Sequence, residues 1–160
     1  MKKLTETHFE SDKVILEKLS ENHLDKLLDA GQNPAIWRHV LSNYCQDKST
    51  LLKWFNQTAQ YSADTQLPLV ILDKETHSLV GSTRLFALDF RNDKLEIGHT
   101  FIRPEFQRSY INTHTKYLSL RPTDSQCSGS ASTPLVHLAS ASDSTLLSGS
   151  FELKLVLRST

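Results

Sequence analysis

Gln107, Arg108 and Ser109, with Asn112 and Thr113 close behind, gather hydrogen-bonding side chains where an alternating apolar run gives way to a helical pattern. A junction of this kind suits an anion. The first N–H groups of a helix have no partner within it, and the helix dipole adds partial positive charge, so a loop folding back over that terminus makes a phosphate site. Many strand–loop–helix units end in a terminus that binds nothing, and spacing alone does not separate the two. The unit spans Leu95 to Leu118: a strand in which Leu95, Ile97, His99 and Phe101 alternate with Glu96, Gly98 and Thr100, a loop from Arg103 to Arg108, and a helix from about Ile111.

The elements that must position this unit are readable upstream. Val14-Ile15-Leu16 reads as a strand, and Ser20 offers an N-cap oxygen to a helix carrying Leu24, Leu27 and Leu28 that stops at Gly31. Asn33-Pro34 opens a short helix through Ile36, Trp37 and Val40. Ser49 caps a third helix with a stripe of Leu51, Leu52, Phe55 and Ala59, broadened by Trp54 and Tyr61. Leu69 to Leu72 and Leu79 to Phe86 form a hairpin about the polar turn at 73–78, and a second polar turn covers Asp89 to Asp93. Trp37, Trp54, Phe55 and Tyr61 could line an acceptor cleft, but aromatic residues at helical spacing are more often core.

The composition breaks after Leu118. Ten serines fall between Ser119 and Ser150, with no aromatic residue, which leaves little to build a core. Pro122 is expected to stop the helix. Domain organisation is thus expected to be a folded unit over 1–118 and an atypical Ser-rich tail over 119–160, disordered or produced by a reading-frame change. Leu135 to Leu138 and Phe151 to Leu157 are candidate strands within it.

Lys plus Arg equals Asp plus Glu at 18 each, so there is no net field to hold a polyanion and nucleic acid is not expected as a partner. The N-terminus has no signal-peptide pattern and no window is apolar enough for a membrane span, so no membrane partner is expected. Cys45 and Cys127 lie in no ligand spacing and read as free thiols of a reducing, cytoplasmic compartment. His8, His23, His39, His77, His114 and His137 share no spacing with acids or cysteines, so no metal is expected.

The segment Ile102-Arg103-Pro104-Glu105-Phe106-Gln107-Arg108-Ser109-Tyr110-Ile111-Asn112-Thr113 resembles the acetyl-CoA segment of GNAT N-acyltransferases: an apolar strand end, a proline, then Q/R-x-x-G-x-G/A opening a helix. Leu79 to Arg84, Leu95 to Thr100 and Asn33 to Trp37 are similar to segments of the branch related to ribosomal-protein N-terminal acetyltransferases, and the resemblance covers about Val14 to Leu118. It implies an α/β (α+β) fold, a GNAT-like mixed and mostly antiparallel sheet flanked by helices and incomplete at the C-terminus. It also implies transfer of an acetyl group from acetyl-CoA, as cosubstrate, to a primary amine acceptor, either a peptide N-terminus or a small molecule; a homodimer is left open. Backbone amides from Arg108 to Thr113 would hold the diphosphate, Gln107 would match the first motif position, Arg108 would add charge, and Phe101 and Ile102 would pair with the pantetheine amides.

Tyr110 stands in place of the motif's first glycine and Asn112 in place of its second small residue. Glycine suits a close phosphate approach and a positive φ, which Asn tolerates and Tyr does not. A Gln-Arg-Ser/Thr-x-x-Asn-Thr variant within the branch would accommodate both. The reaction also needs a base, for which Glu96 or His99 is in position. Their ordinary readings, an exposed strand carboxylate and a satisfied, partly buried histidine, stand beside that role. Nothing after Ser119 matches the segment whose tyrosine or serine protonates the leaving thiolate in this family. The rival reading is a catalytically inactive, truncated remnant or small interaction module that retains at most CoA-phosphate binding.

Overall fold

In a computed structural model of the chain, residues 3–38, 42–89, 94–124 and 151–156 are described. Six strands form one sheet in sequence order: β1 (His8–Glu10), β2 (Val14–Lys18), β3 (Gln66–Asp73), β4 (Ser78–Asp89), β5 (Lys94–Ile102) and β6 (Phe151–Val156). All five pairings among the described residues are antiparallel. Three α-helices accompany them: α1 (Leu24–Ala30), α2 (Lys48–Gln57) and α3 (Tyr110–Asp124).

Both faces of the sheet are covered, which explains why β3 is an almost unbroken apolar run. Leu67, Leu69 and Ile71 point to the α3 side, where Phe9, Leu16, Leu85, Ile97, Ile111 and Leu118 join them in one core cluster. Val70 points the other way, toward Leu24, Leu27, Trp37, Leu51 and Phe55. Full burial of one such side chain contributes roughly 1.5–3 kcal/mol, so the two clusters fix the sheet between its helical layers.

The helices follow the pattern with instructive departures. Ser20 begins a 3-10 turn, Glu21–His23, before α1, and the His23 ring accepts the Ser20 N–H at 3.1 Å while its Nε2 meets Glu17 at 2.8 Å. Gly31 follows α1 for a reason of space: a Cβ there would lie 2.5 Å from both Cβ and Sγ of Cys45. Asn33 caps the turn Pro34–Trp37 through the Ala35 N–H; Val40, expected in the same element, lies outside the described residues. The cap of α2 is Asp47 and not Ser49, because the Asp47 carboxylate accepts both the Thr50 N–H and its hydroxyl at 2.8 Å. Leu52 leaves the expected stripe and is 43% exposed; Leu51, Phe55 and Ala59 are buried.

Helix α3 runs on through Pro122 to Asp124, past the expected stop. The proline sits in the last turn, where its missing N–H removes one backbone bond without interrupting the packed first part of the helix. The turn at 90–93, the candidate strand Leu135–Leu138 and most of the Ser-rich tail, Cys127 included, lie outside the described residues. The second candidate strand of the tail is β6. It pairs with β5 from Lys94↔Val156 to Thr100↔Phe151.

Candidate active site

Strand β5 does not keep the simple alternation its sequence suggests. The register with β4 slips between Ser82 and Arg84, and His99 takes a left-handed φ of 49°. A bulge places one extra residue in β5 and reverses the faces beyond it. Leu95 and Ile97 face the α3 cluster before the bulge and Ile102 does so after it, whereas Phe101 joins the opposite cluster. The expectation that Leu95, Ile97, His99 and Phe101 share a face is therefore corrected, and His99 is exposed, its ring 5.2 Å from that of Phe86. Glu96 is half-buried on the strand opposite Phe86.

Past the bulge, β4 and β5 are held unusually close. A Cβ at Gly81 would fall 2.1 Å from the Phe101 carbonyl oxygen, so only glycine fits, and the Arg103 N–H donates to Val80 O at 2.8 Å. On its other edge β5 is paired by β6 only as far as Thr100; among the described residues no strand pairs with Phe101 or Ile102 on that side. Phe101 is buried against Trp37, with ring centroids 5.3 Å apart, and near Tyr44 at 6.1 Å. Tyr44 in turn stacks on Trp54 at 3.9 Å and its hydroxyl lies 3.2 Å from Ser82 Oγ; burial pushes its phenol well above the ordinary value. Trp37, Trp54 and Phe55 pack in or against the core cluster on the α1/α2 side, and Tyr61 is tied by its hydroxyl to Leu4 O at 2.6 Å.

The loop between β5 and α3 is braced from within. Its 3-10 turn, Pro104–Phe106, is followed by Gln107, whose side-chain amide donates to Ile102 O at 2.9 Å. Gln107 thus ties the loop to the strand end, so its Nε2 is engaged before any ligand arrives. Arg108 is exposed and carries the positive φ, 60°. Ser109 Oγ donates to Phe106 O and accepts the Ile111 N–H at 3.3 Å, a weak cap. Helix geometry returns the Thr113 N–H to Ser109 O, which leaves the Tyr110 and Asn112 amides without a partner inside the helix. Thr113 itself is exposed and Ile111 is fully buried in the α3 cluster.

The two departures from the glycine motif now have physical accounts. The left-handed turn falls on Arg108, so Tyr110 is helical and needs no glycine φ. Its hydroxyl donates to Asp73 at 2.7 Å and lies 3.2 Å from a Glu75 carboxylate oxygen, which anchors the start of α3 to the β3–β4 turn. Burial would raise the Asp73 carboxyl, but hydrogen bonds from Tyr110 and Thr76 outweigh it and hold the group below the ordinary carboxylate value. Asn112 Oδ1 is buried with no hydrogen-bond partner among the described residues. Orphaned buried acceptors are rare in folded proteins, and this one calls for a donor that the described residues do not supply.

Two features lay outside the sequence reading. Arg84 is buried, its Nη1 donating to Thr58 O at 3.1 Å and its Nε without a partner among the described residues. Lys116, four residues beyond Asn112, reaches Thr100 Oγ1 at 3.2 Å. The helical interval was legible for Lys116; nothing in the sequence marked Arg84, whose burial arises from packing between β3 and the end of α2.

A twisted antiparallel sheet with α1 and α2 on one face, α3 on the other, and a bulged strand ending beside an open helix terminus defines an acyltransferase type of α/β fold. The chain belongs to the GNAT acetyltransferase family: residues 13–118 match the acetyltransferase (GNAT) domain. Among solved structures it is similar to a GCN5-related N-acetyltransferase from Brucella melitensis, at 22% identity and a TM-score of 0.66, over 74% of this chain and 55% of that one. It is likewise similar to a probable GNAT acetyltransferase from Chromobacterium violaceum, at 20% identity and a TM-score of 0.65, over 75% of this chain and 61% of that one. The microcin C7 self-immunity acetyltransferase MccE, solved with acetyl-CoA and AMP, is similar at 15% identity and a TM-score of 0.59, over 90% of this chain and 91% of that one. No curated protein sequence matches. The chain spans less than two thirds of the length of the first two structures.

Proposed function

We propose that the chain binds acetyl-CoA and transfers its acetyl group to a primary amine, on a peptide N-terminus or a small molecule. The observation that carries this reading is the short, internally braced loop through which the bulged strand β5 runs into the start of α3, with Gln107 tied back to the Ile102 carbonyl and the left-handed turn at Arg108. When bound, acetyl-CoA supplies an activated thioester. The Tyr110 and Asn112 amides and the exposed Arg108 side chain would hold its diphosphate by charge-assisted bonds. Of the two strand-end residues assigned to the pantetheine arm, Phe101 turns its carbonyl toward Gly81 of β4 and Ile102 gives its carbonyl to Gln107, so the Ile102 N–H would be the group offered to the arm. Ser109 and Ile111 hold the helix terminus in place, and Gln107 fixes the Ile102 carbonyl.

Glu96 is the better placed proton acceptor of the two acids and bases on β5, since it stays half-buried where His99 turns to solvent. The buried free thiol of Cys45 accords with a reducing, cytoplasmic setting. Among the described residues no helix is long and apolar enough to cross a membrane.

One observation favours a second reading, a non-catalytic remnant or interaction module that keeps only CoA-phosphate binding. The matched domain ends at residue 118, and β6 enters the sheet antiparallel beside β5. Calorimetric titration with acetyl-CoA, followed by thiol-release assays over peptide and small-molecule amines, separates them. Binding with turnover supports the transferase, binding without turnover supports the remnant, and absence of binding removes both.

A further inference from the structure

Lys116 differs from the ion-paired lysines of this chain. Lys3, Lys48 and Lys74 meet Asp64, Asp25 and Glu10 near the surface. The Lys116 ammonium is tucked between α3 and the sheet, and among the described residues its polar partner is the hydroxyl of Thr100, itself 2.8 Å from Thr83 Oγ1. An ammonium can donate three hydrogen bonds, so this one is underused. It also lies on a polar stripe of α3 at helical spacing. Asn112 precedes it by four residues, Thr115 by one and Ser119 follows by three; Asn112 Oδ1 and Thr115 Oγ1 are both buried without partners among the described residues. Thr115 and Ser119 are fully buried, and so nearly are Thr83 and Thr100. A set of buried polar groups with spare donors and acceptors calls for a polar group that the described residues do not supply.

We propose that Lys116 is an internal acetyl acceptor: the chain acetylates its own Lys116 from acetyl-CoA held at the end of β5. This rests on the acetyl-CoA-binding reading above. Thr100, which positions the amine, immediately precedes Phe101 and Ile102, the residues assigned to the pantetheine arm. In the reaction the neutral Nζ attacks the thioester carbonyl, a C–N bond forms and the C–S bond breaks. Coenzyme A leaves as thiolate and takes up the proton released from nitrogen, leaving a free thiol and an N-ε-acetyl amide. The product exchanges a buried charge for a neutral amide with one donor and one acceptor, which Asn112 and Thr115 of the stripe, together with Thr100 of β5, can receive.

Burial also prepares the amine. It lowers the Lys116 pKa to about 8, so a useful fraction is neutral and nucleophilic near physiological pH. Burial is the one cause of that shift; its neighbours across the sheet are the uncharged hydroxyls of Thr100 and, through it, Thr83.

The test is incubation of the full chain with acetyl-CoA, read by intact mass and by peptide mass spectrometry, with calorimetry run in parallel. One acetyl group on Lys116, added faster than on any exposed lysine and faster as pH rises through about 8, is the expected result. Lys116→Arg should lose the modification while keeping acetyl-CoA binding, and Thr100→Val should slow it at least several-fold with the fold intact by circular dichroism. Acetyl-CoA binding with Lys116 unmodified overturns this inference alone, as does modification at the same rate in the urea-unfolded chain. Failure to bind acetyl-CoA overturns the underlying reading as well.

Discussion

At the scale of single residues, the site depends on positions whose side chain is either forbidden or short of partners. Gly81 is the first kind. Because an added methyl would sit 2.1 Å from the Phe101 carbonyl, Gly81→Ala must push β4 and β5 apart where they define the site. Overpacking of this kind costs about 1–3 kcal/mol or more, so the variant should show a lower urea midpoint and weaker acetyl-CoA binding together. An unchanged midpoint would mean the strands are not in that contact. Lys116 is the second kind. Its folded pKa lies below the ordinary 10.5, so the unfolded chain binds more protons between about 8 and 10.5, and stability rises with pH across that window. Lys116→Met should therefore be more stable than the parent at pH 7, by on the order of 1–3 kcal/mol, with the gap closing as pH approaches 10. Urea denaturation of both proteins at pH 7, 8.5 and 10 checks the sign; a gap that widened with pH would refute it.

At the scale of elements, α3 is aimed by its first residue. Tyr110 clamps the helix start to Asp73, which is 1% exposed, so Tyr110→Phe leaves a buried carboxylate short of a donor and releases the terminus that carries the open amides. The variant should bind acetyl-CoA more weakly, most of it as faster dissociation, and should unfold at lower urea. The parent's clamp is pH-dependent with a definite sign: Asp73 has a depressed pKa, so its contribution is present above the ordinary 3.8 and is lost as pH falls through the lower folded value. Urea midpoints of parent and variant should accordingly converge in acid, and a constant difference from pH 6 to pH 2 would exclude the clamp. The elements themselves were largely legible, because β2, β3, β4, α1 and α2 announce themselves by apolar period and caps. The site was legible as a strand–loop–helix but not in its details. The bulge at His99 arises from pairing with β4, and the partner of Tyr110 lies 37 residues away, so neither leaves a local mark. Asp47 displaced Ser49 as a cap because both carboxylate oxygens find donors one turn on, a choice between neighbours that sequence leaves open.

At the scale of the whole molecule, the sheet couples two cores that share no helix. Strands β3, β4 and β5 each send side chains into both clusters, so neither side can lose its packing without exposing strands that the other side needs. The chain should then unfold in a single transition, as chains of this size commonly do. Its two tryptophans give a stringent check, since Trp37 and Trp54 both sit on the α1/α2 side while the proposed ligand meets α3 on the opposite face. Tryptophan fluorescence and far-ultraviolet circular dichroism should report the same urea midpoint. Acetyl-CoA at a hundred times its dissociation constant should raise the unfolding free energy by about 2.7 kcal/mol in both signals. If the ligand shifts only the dichroism, the two faces unfold separately, and the bulged strand between them is not the mechanical link that joins the start of α3 to the aromatic cluster around Phe101.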